Sequence, residues 1–155
     1  MINDYKIFEG ILNGSKIGVL GLLRGTLPYT VPVNFVYYEK HIYFHSAESG
    51  TKIDILKQNP SVSFLAFIDR DIIPNKIPCK IGQSFKSVII TGEASIVDNT
   101  SEKRDALKAL IEKYVPEGGY IELTEEMVEN HKSRLNRRTS IIKIKINEIS
   151  GKERP

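Results

Sequence analysis

The 155-residue chain has no tryptophan, one cysteine and two methionines. A lone cysteine, Cys79, excludes an internal disulfide framework and any paired-cysteine metal knuckle. Nothing near it in sequence would activate the thiol, so Cys79 is expected to be a free thiol rather than a nucleophile. No run of about 18 apolar residues occurs, which excludes a membrane-spanning helix. Met1-Ile-Asn-Asp-Tyr-Lys6 leads into no long apolar stretch and does not read as a secretion signal, so the expected compartment is the cytoplasm. Charge of one sign is scarce too. Lys+Arg number 22 and Asp+Glu 19, leaving +3, too little to argue by itself for a nucleic-acid partner. GxxxxGK[ST] is absent, which excludes a P-loop. His41, His45 and His131 lack metal-ligand spacing, and no metal is expected.

What is present describes a folded domain. Hydrophobic residues make up 41% and charged residues 26%, outside the range of disordered chains, and the length suits one domain over 1–155. Asn3 or Asp4 can cap a first helix with Ile7, Phe8, Ile11 and Leu12 on one face, closed by Gly14. Strands are expected at Lys16–Leu23, Tyr29–Tyr38, His41–Ser46, Ser61–Ile68, Phe85–Val97 and Ser140–Ile149. Glu39-Lys40 would join two of them without the usual Asn-Gly turn chemistry. Gly92 inside the fifth strand suggests a bulge or a close backbone approach. Helices are expected at Thr51–Asn59, from Asn99 with Glu102 as a capping pair and Leu107, Leu110, Ile111 and Tyr114 as its apolar face, and at Thr124–Asn136. Asp69–Ser84 reads as a long polar loop, a lid or an interface arm. The expected fold is mainly β (α+β), a six-stranded antiparallel barrel with peripheral helices.

Phe44-His-Ser-Ala-Glu-Ser-Gly-Thr-Lys52 is the most informative segment. A strand end runs through a loop of small and hydroxylated residues into a helix start, where unpaired N–H groups carry partial positive charge. Ser46, Ser49 and Thr51 add hydroxyls. Lys52 is badly placed for the helix dipole unless an anion sits between it and the N–H groups. A phosphate fits that description. The plainer alternative is a surface helix capped by Ser49 or Thr51, with Lys52 solvated and offset by Asp54. Pro32, in the middle of an apparent strand, demands an edge, a bulge or a local break. Asn34 shares its face and could read the edge of a planar heterocycle, or bond backbone in a bulged edge. His131-Lys-Ser-Arg-Leu-Asn-Arg-Arg138 is the most basic stretch. Because Glu122, Glu125, Glu126 and Glu129 precede it, it suits the rear of a helix dipole better than RNA.

Several segments, in order, resemble a known family: Pro28-Tyr-Thr-Val-Pro-Val-Asn-Phe35, Ile42-Tyr-Phe-His-Ser-Ala47, Gly50-Thr-Lys52, Asn59-Pro-Ser-Val-Ser-Phe64, Phe85-Lys-Ser-Val88 and Gly92-Glu-Ala94. From about Ile17 to Gly151 the chain resembles the FMN-binding split-barrel superfamily related to pyridoxamine 5′-phosphate oxidase, and most resembles its nitroimidazole-resistance (Nim-type) flavoproteins. The resemblance implies a six-stranded split barrel, a homodimer and FMN at the subunit interface, with FAD as the alternative flavin. By position, Thr30, Val31, Pro32, Val33, Asn34 and Phe35 would lie along the isoalloxazine, largely through backbone groups. His45 and Ser46 would face the phosphate or ribityl end, Thr51 and Lys52 would bind phosphate, and Ser87 would make a polar flavin contact. His45 also matches the histidine that Nim-type proteins place close to the flavin, and is the candidate proton donor. The chain departs from the oxidases at Thr30 and Thr51, where they carry arginines, and lacks their C-terminal Arg-Leu-x-Pro. These departures argue against oxidation of vitamin B6 phosphates.

The implied activity is an FMN-dependent oxidoreductase using NAD(P)H to reduce a small electron acceptor such as a nitro-aromatic. The alternative is a flavin-binding module that stores or senses the cofactor without catalysis. A nucleic-acid binder built on Tyr37, Tyr38, Tyr43 and the basic run is disfavoured by the near-neutral charge. Neither a nucleic-acid nor a membrane partner is expected.

Overall fold

The computed structural model describes residues 4–130, 132 and 134–155. Seven strands are present: β1 (Gly18–Arg24), β2 (Leu27–Val33), β3 (Val36–Tyr38), β4 (His41–Ala47), β5 (Ser61–Ile73), β6 (Gly82–Ile96) and β7 (Thr139–Arg154). Helices α1 (Tyr5–Gly14), α2 (Thr51–Gln58), α3 (Thr100–Tyr114) and α4 (Glu125–Glu129) accompany them. All strands belong to one antiparallel sheet in the order β2-β1-β5-β6-β7-β4-β3. The fold is therefore mainly β with peripheral helices. The expected six strands are corrected to seven, and the sheet is not closed by hydrogen bonds.

The extra strand comes from one interruption. The expected strand Tyr29–Tyr38 breaks at Asn34-Phe35 into β2 and β3, which form opposite edges of the sheet. Yet Val33 and Val36 are three residues apart, at most about 11 Å. The sheet must curl until its two edges face each other across that dipeptide. Pro32 fits this arrangement: it pairs with Val19 of β1, and β2 has no second neighbour to which a proline would deny a donor.

Alternation then sorts the side chains. Val31, Leu20, Phe64, Ile90 and Ile149 are matched across five strands on the inner face. With Phe35, Phe44 and Ile142 they belong to or pack against the main core, which Phe8, Ile11 and Leu12 of α1 and Ile53, Ile55 and Leu56 of α2 complete. A second core lies outside the sheet, where Ala106, Leu107 and Leu110 of α3 cover Val36, Tyr43 and Ile141. Asp4 caps α1 by accepting from the Lys6 amide at 2.9 Å; Asn3, the other candidate, lies outside the described residues. Asn99 caps α3 by accepting from the Glu102 amide at 2.8 Å. The Glu102 carboxylate accepts from Tyr43 Oη at 2.8 Å and Lys143 Nζ at 2.6 Å, tying α3 to β4 and β7. These bonds hold its carboxyl below the usual carboxylate range.

Three further expectations are corrected. Asp69–Ser84 is not a long loop: β5 and β6 extend as a hairpin to Ile73 and from Gly82, with a short 3-10 turn at Pro78–Lys80. The helix expected over Thr124–Asn136 ends at Glu129; the described residues of the basic run, 132 and 134–138, are non-helical, with a bridge between Lys132 and Arg138. The last strand runs past Ile149 to Arg154, still paired with β6. Glu39 and Lys40, at φ 47° and 63°, make a two-residue turn with both residues left-handed, although neither is glycine. Gly92 meets both expectations. The β6–β7 register shifts between Thr91 and Gly92, and a Cβ at Gly92 would stand 2.2 Å from the Lys145 carbonyl oxygen.

Candidate functional site

The chain from β4 into α2 carries the strongest candidate. Phe44 points into the core, while His45 shares the outer face with Tyr43 and Ile141, where it is exposed; Ser46 turns back inward and is buried. The N-cap of α2 is Gly50, at φ 122°, a conformation open to glycine and strained for other residues. No side chain caps this helix. The plainer alternative, with Ser49 or Thr51 as the cap, is therefore not what the structure contains. Thr51 is exposed at the first helical position.

Lys52 follows, half-buried, with its Nζ 5.6 Å from the centre of the Phe44 ring. Among the described residues it has no ion-pair partner, Asp54 included. Burial pushes its ammonium down from the ordinary lysine value. A partly desolvated cation in the first turn of a helix that no side chain caps adds to the positive potential of that helix start, which a phosphate would complement.

Thr30 and Pro32 are exposed on the outer face of β2, whereas Val31 packs against the core and Val33 and Phe35 are buried in it. Only backbone at Val33 and Phe35 can reach a ligand. Among the described residues one edge of β2 has no strand partner, which leaves its outward N–H and C=O groups outside the sheet's ladder. At the break, the Tyr114 hydroxyl accepts from the Phe35 amide at 3.0 Å and lies 2.5 Å from the Lys16 carbonyl oxygen and 3.2 Å from that of Phe35. Asn34, exposed, donates to the same Lys16 oxygen at 3.4 Å. Asn34 thus makes a weak backbone contact, at a break between strands rather than at a bulge, and stays exposed.

A cleft of about 650 Å³ opens beside this junction, lined by Asn34, His45, Leu110, Tyr114, Met127 and Arg134 among others. The structure thus brings Asn34 and His45 together. Thr51 and Lys52 do not line this cleft. Ser87 lies on the outer sheet face, paired with Phe67 and Lys152. Tyr43 is buried and tied to Glu102, which removes it as an exposed stacking surface. The cleft walls from α3 and α4, and Lys132 and Arg134 at its mouth, were not singled out from sequence as site residues. Tyr114 gave one signal, a phenol on an apolar helix face whose hydroxyl needs a partner.

A curled antiparallel sheet, broken between its two edge strands and set beside a helix start that no side chain caps, makes a mainly β protein with a half-buried lysine at its strand-to-helix turn. The pyridoxamine 5′-phosphate oxidase family model matches residues 7–153, and the chain belongs to that family. No curated protein matches it. Among solved structures it is similar to a candidate 5-nitroimidazole antibiotic resistance protein from Bacteroides thetaiotaomicron, at 22% identity and TM-score 0.79, covering 97% of this chain and 84% of that one. It is also similar to an FAD and heme binding protein from Mycobacterium smegmatis, at 13% identity and TM-score 0.82, covering 98% and 72%. An FAD binding protein from the same organism matches at 16% identity and TM-score 0.65, covering both chains fully, at 100%. At these identities the likeness is one of fold. No described helix is long and apolar enough to cross a membrane.

Proposed function

We propose that this protein is a flavin-dependent oxidoreductase that binds FMN, with FAD as the alternative, and uses NAD(P)H to reduce a small acceptor such as a nitro-aromatic. The observation that carries it is Lys52, a half-buried cation that has no ion-pair partner among the described residues, at a helix start that no side chain caps. Family membership and flavin-binding proteins among the structural relatives support the same assignment. Lys52, Thr51 and the α2 amides would hold the phosphate. The free edge of β2 and Asn34 would meet the polar rim of the ring, and His45 would supply a proton near the acceptor. A flavin held there would supply the redox chemistry between the nicotinamide and the acceptor.

The site is proposed to form between two copies of the chain. The outer face of β5 and β6 exposes Phe67 and Ile89, 46% and 49% accessible, beside Ser87. An apolar patch next to a proposed flavin contact suits a second subunit.

Lys52→Met tests the assignment. One charge-assisted bond to phosphate is worth about 1.5–3 kcal/mol, so FMN affinity should fall about ten- to a hundredfold while riboflavin affinity changes little. Equal loss for both ligands contradicts a phosphate role.

A further inference from the structure

We propose that the cleft between α3, α4 and the β2–β3 junction takes an aromatic carboxylate, a flat apolar body carrying one anionic group, as the molecule that meets the flavin ring. The proposal rests on the flavin assignment for its acceptor role and on the cleft itself for its ligand class. Of the residues matched to the flavin, only Asn34 and His45 line the cleft; Thr30, Pro32, Ser46, Thr51, Lys52 and Ser87 do not. The cleft therefore borders the proposed flavin site at Asn34, matched to the ring, and at His45, the candidate proton donor, and does not include the proposed phosphate residues Thr51 and Lys52.

The chemistry of the lining selects the ligand. Leu110, Ile111 and Val115 from the end of α3, with Leu123 and Met127 opposite, make apolar walls. Such walls favour a flat hydrocarbon body over a sugar or a peptide backbone. Lys132 and Arg134 lie in the same lining, which among the described residues contains no carboxylate. Among the described residues neither cation is ion-paired. Both are exposed. Apolar walls, two cations and no acid complement a molecule with one apolar end and one anionic end.

The test uses 2-naphthoate and its uncharged analogue 2-naphthalenemethanol, titrated against the FMN-loaded protein. Probe fluorescence reads binding, and flavin absorbance and fluorescence read the cofactor. The acid should bind at least tenfold tighter than the alcohol and perturb the flavin spectrum without releasing FMN. Lys132→Gln with Arg134→Gln should abolish that preference while leaving the alcohol's affinity unchanged. Met127→Glu, at an exposed wall position, should weaken the acid more than the alcohol. Equal binding of acid and alcohol, an unchanged preference in the double variant, or release of FMN by the acid would overturn the proposal. Loss of acid binding with FMN still held sinks this inference alone. Failure of FMN to bind sinks the flavin assignment and the acceptor role with it. Acid preference in the flavin-free protein then still tests the ligand class by the same variants.

Discussion

At the scale of single residues, Tyr114 and Lys113 show how α3 secures the break in the sheet. The Tyr114 hydroxyl accepts from the Phe35 amide and has its one proton to donate, to the nearer Lys16 carbonyl at 2.5 Å or to that of Phe35 at 3.2 Å. Tyr114→Phe leaves the Phe35 amide without that partner and should cost about 1–3 kcal/mol, read by urea unfolding; an unchanged midpoint would mean water replaces the hydroxyl freely. Lys113 sits beside it. Its Nζ donates to the Leu12 carbonyl at 3.0 Å and lies 3.7 Å from the centre of the Phe35 ring. Burial nevertheless pushes its ammonium down to about 8. An unfolded lysine keeps its proton to about 10.4. Between those two values the unfolded chain binds more protons than the folded one, so this group makes stability rise with pH across that window. Below it the burial penalty on the charged form is fully present. The Tm of wild type should therefore climb relative to that of Lys113→Met as pH rises from about 8 to 10.4. Parallel curves would contradict the shift.

At the scale of elements, the periodic segments were legible in the sequence and the interruptions less so. The apolar faces of α1 and α3 and the alternation of Val62, Phe64 and Ala66 follow directly from residue order, and the structure buries those residues or packs them against the cores. Pro32 marked an edge or a break; it could not tell that the chain would split two residues later into opposite edges of one sheet. That outcome depends on Tyr114, 79 residues away from Phe35. The hairpin over 69–84 reads as loop in the sequence because its polar residues and prolines mask continuing strand pairing, and the bulge between Asp69 and Ile72 breaks the alternation. Of the candidate site, the helix-start portion was readable locally. The cleft was not, because its walls come from segments distant in sequence. Gly92 is the sharpest element-level test. A Cβ there would press on backbone rather than on a side chain able to move. Gly92→Ala should destabilise by about 1–3 kcal/mol in denaturant unfolding, and a neutral effect would show that β7 gives way.

At the scale of the whole molecule, two features converge. The sheet closes its inner face with α1 and α2 and part of its outer face with α3, leaving the outer surface of β5 and β6 uncovered. Phe67 and Ile89 on that surface are proposed to meet a second copy, so light scattering should give twice the chain mass. Phe67→Glu, at an exposed position that leaves the core intact, should yield a monomer with FMN affinity reduced at least tenfold. A variant that stays dimeric and binds flavin normally would place the interface elsewhere.

The central claim is that the partly desolvated charge at Lys52 is there to meet a flavin phosphate. Its most direct test is the visible absorbance and flavin fluorescence of the purified protein titrated with FMN. A saturable shift of the flavin bands with quenched emission is the predicted result. Bands and emission identical to free FMN at every ratio would contradict it.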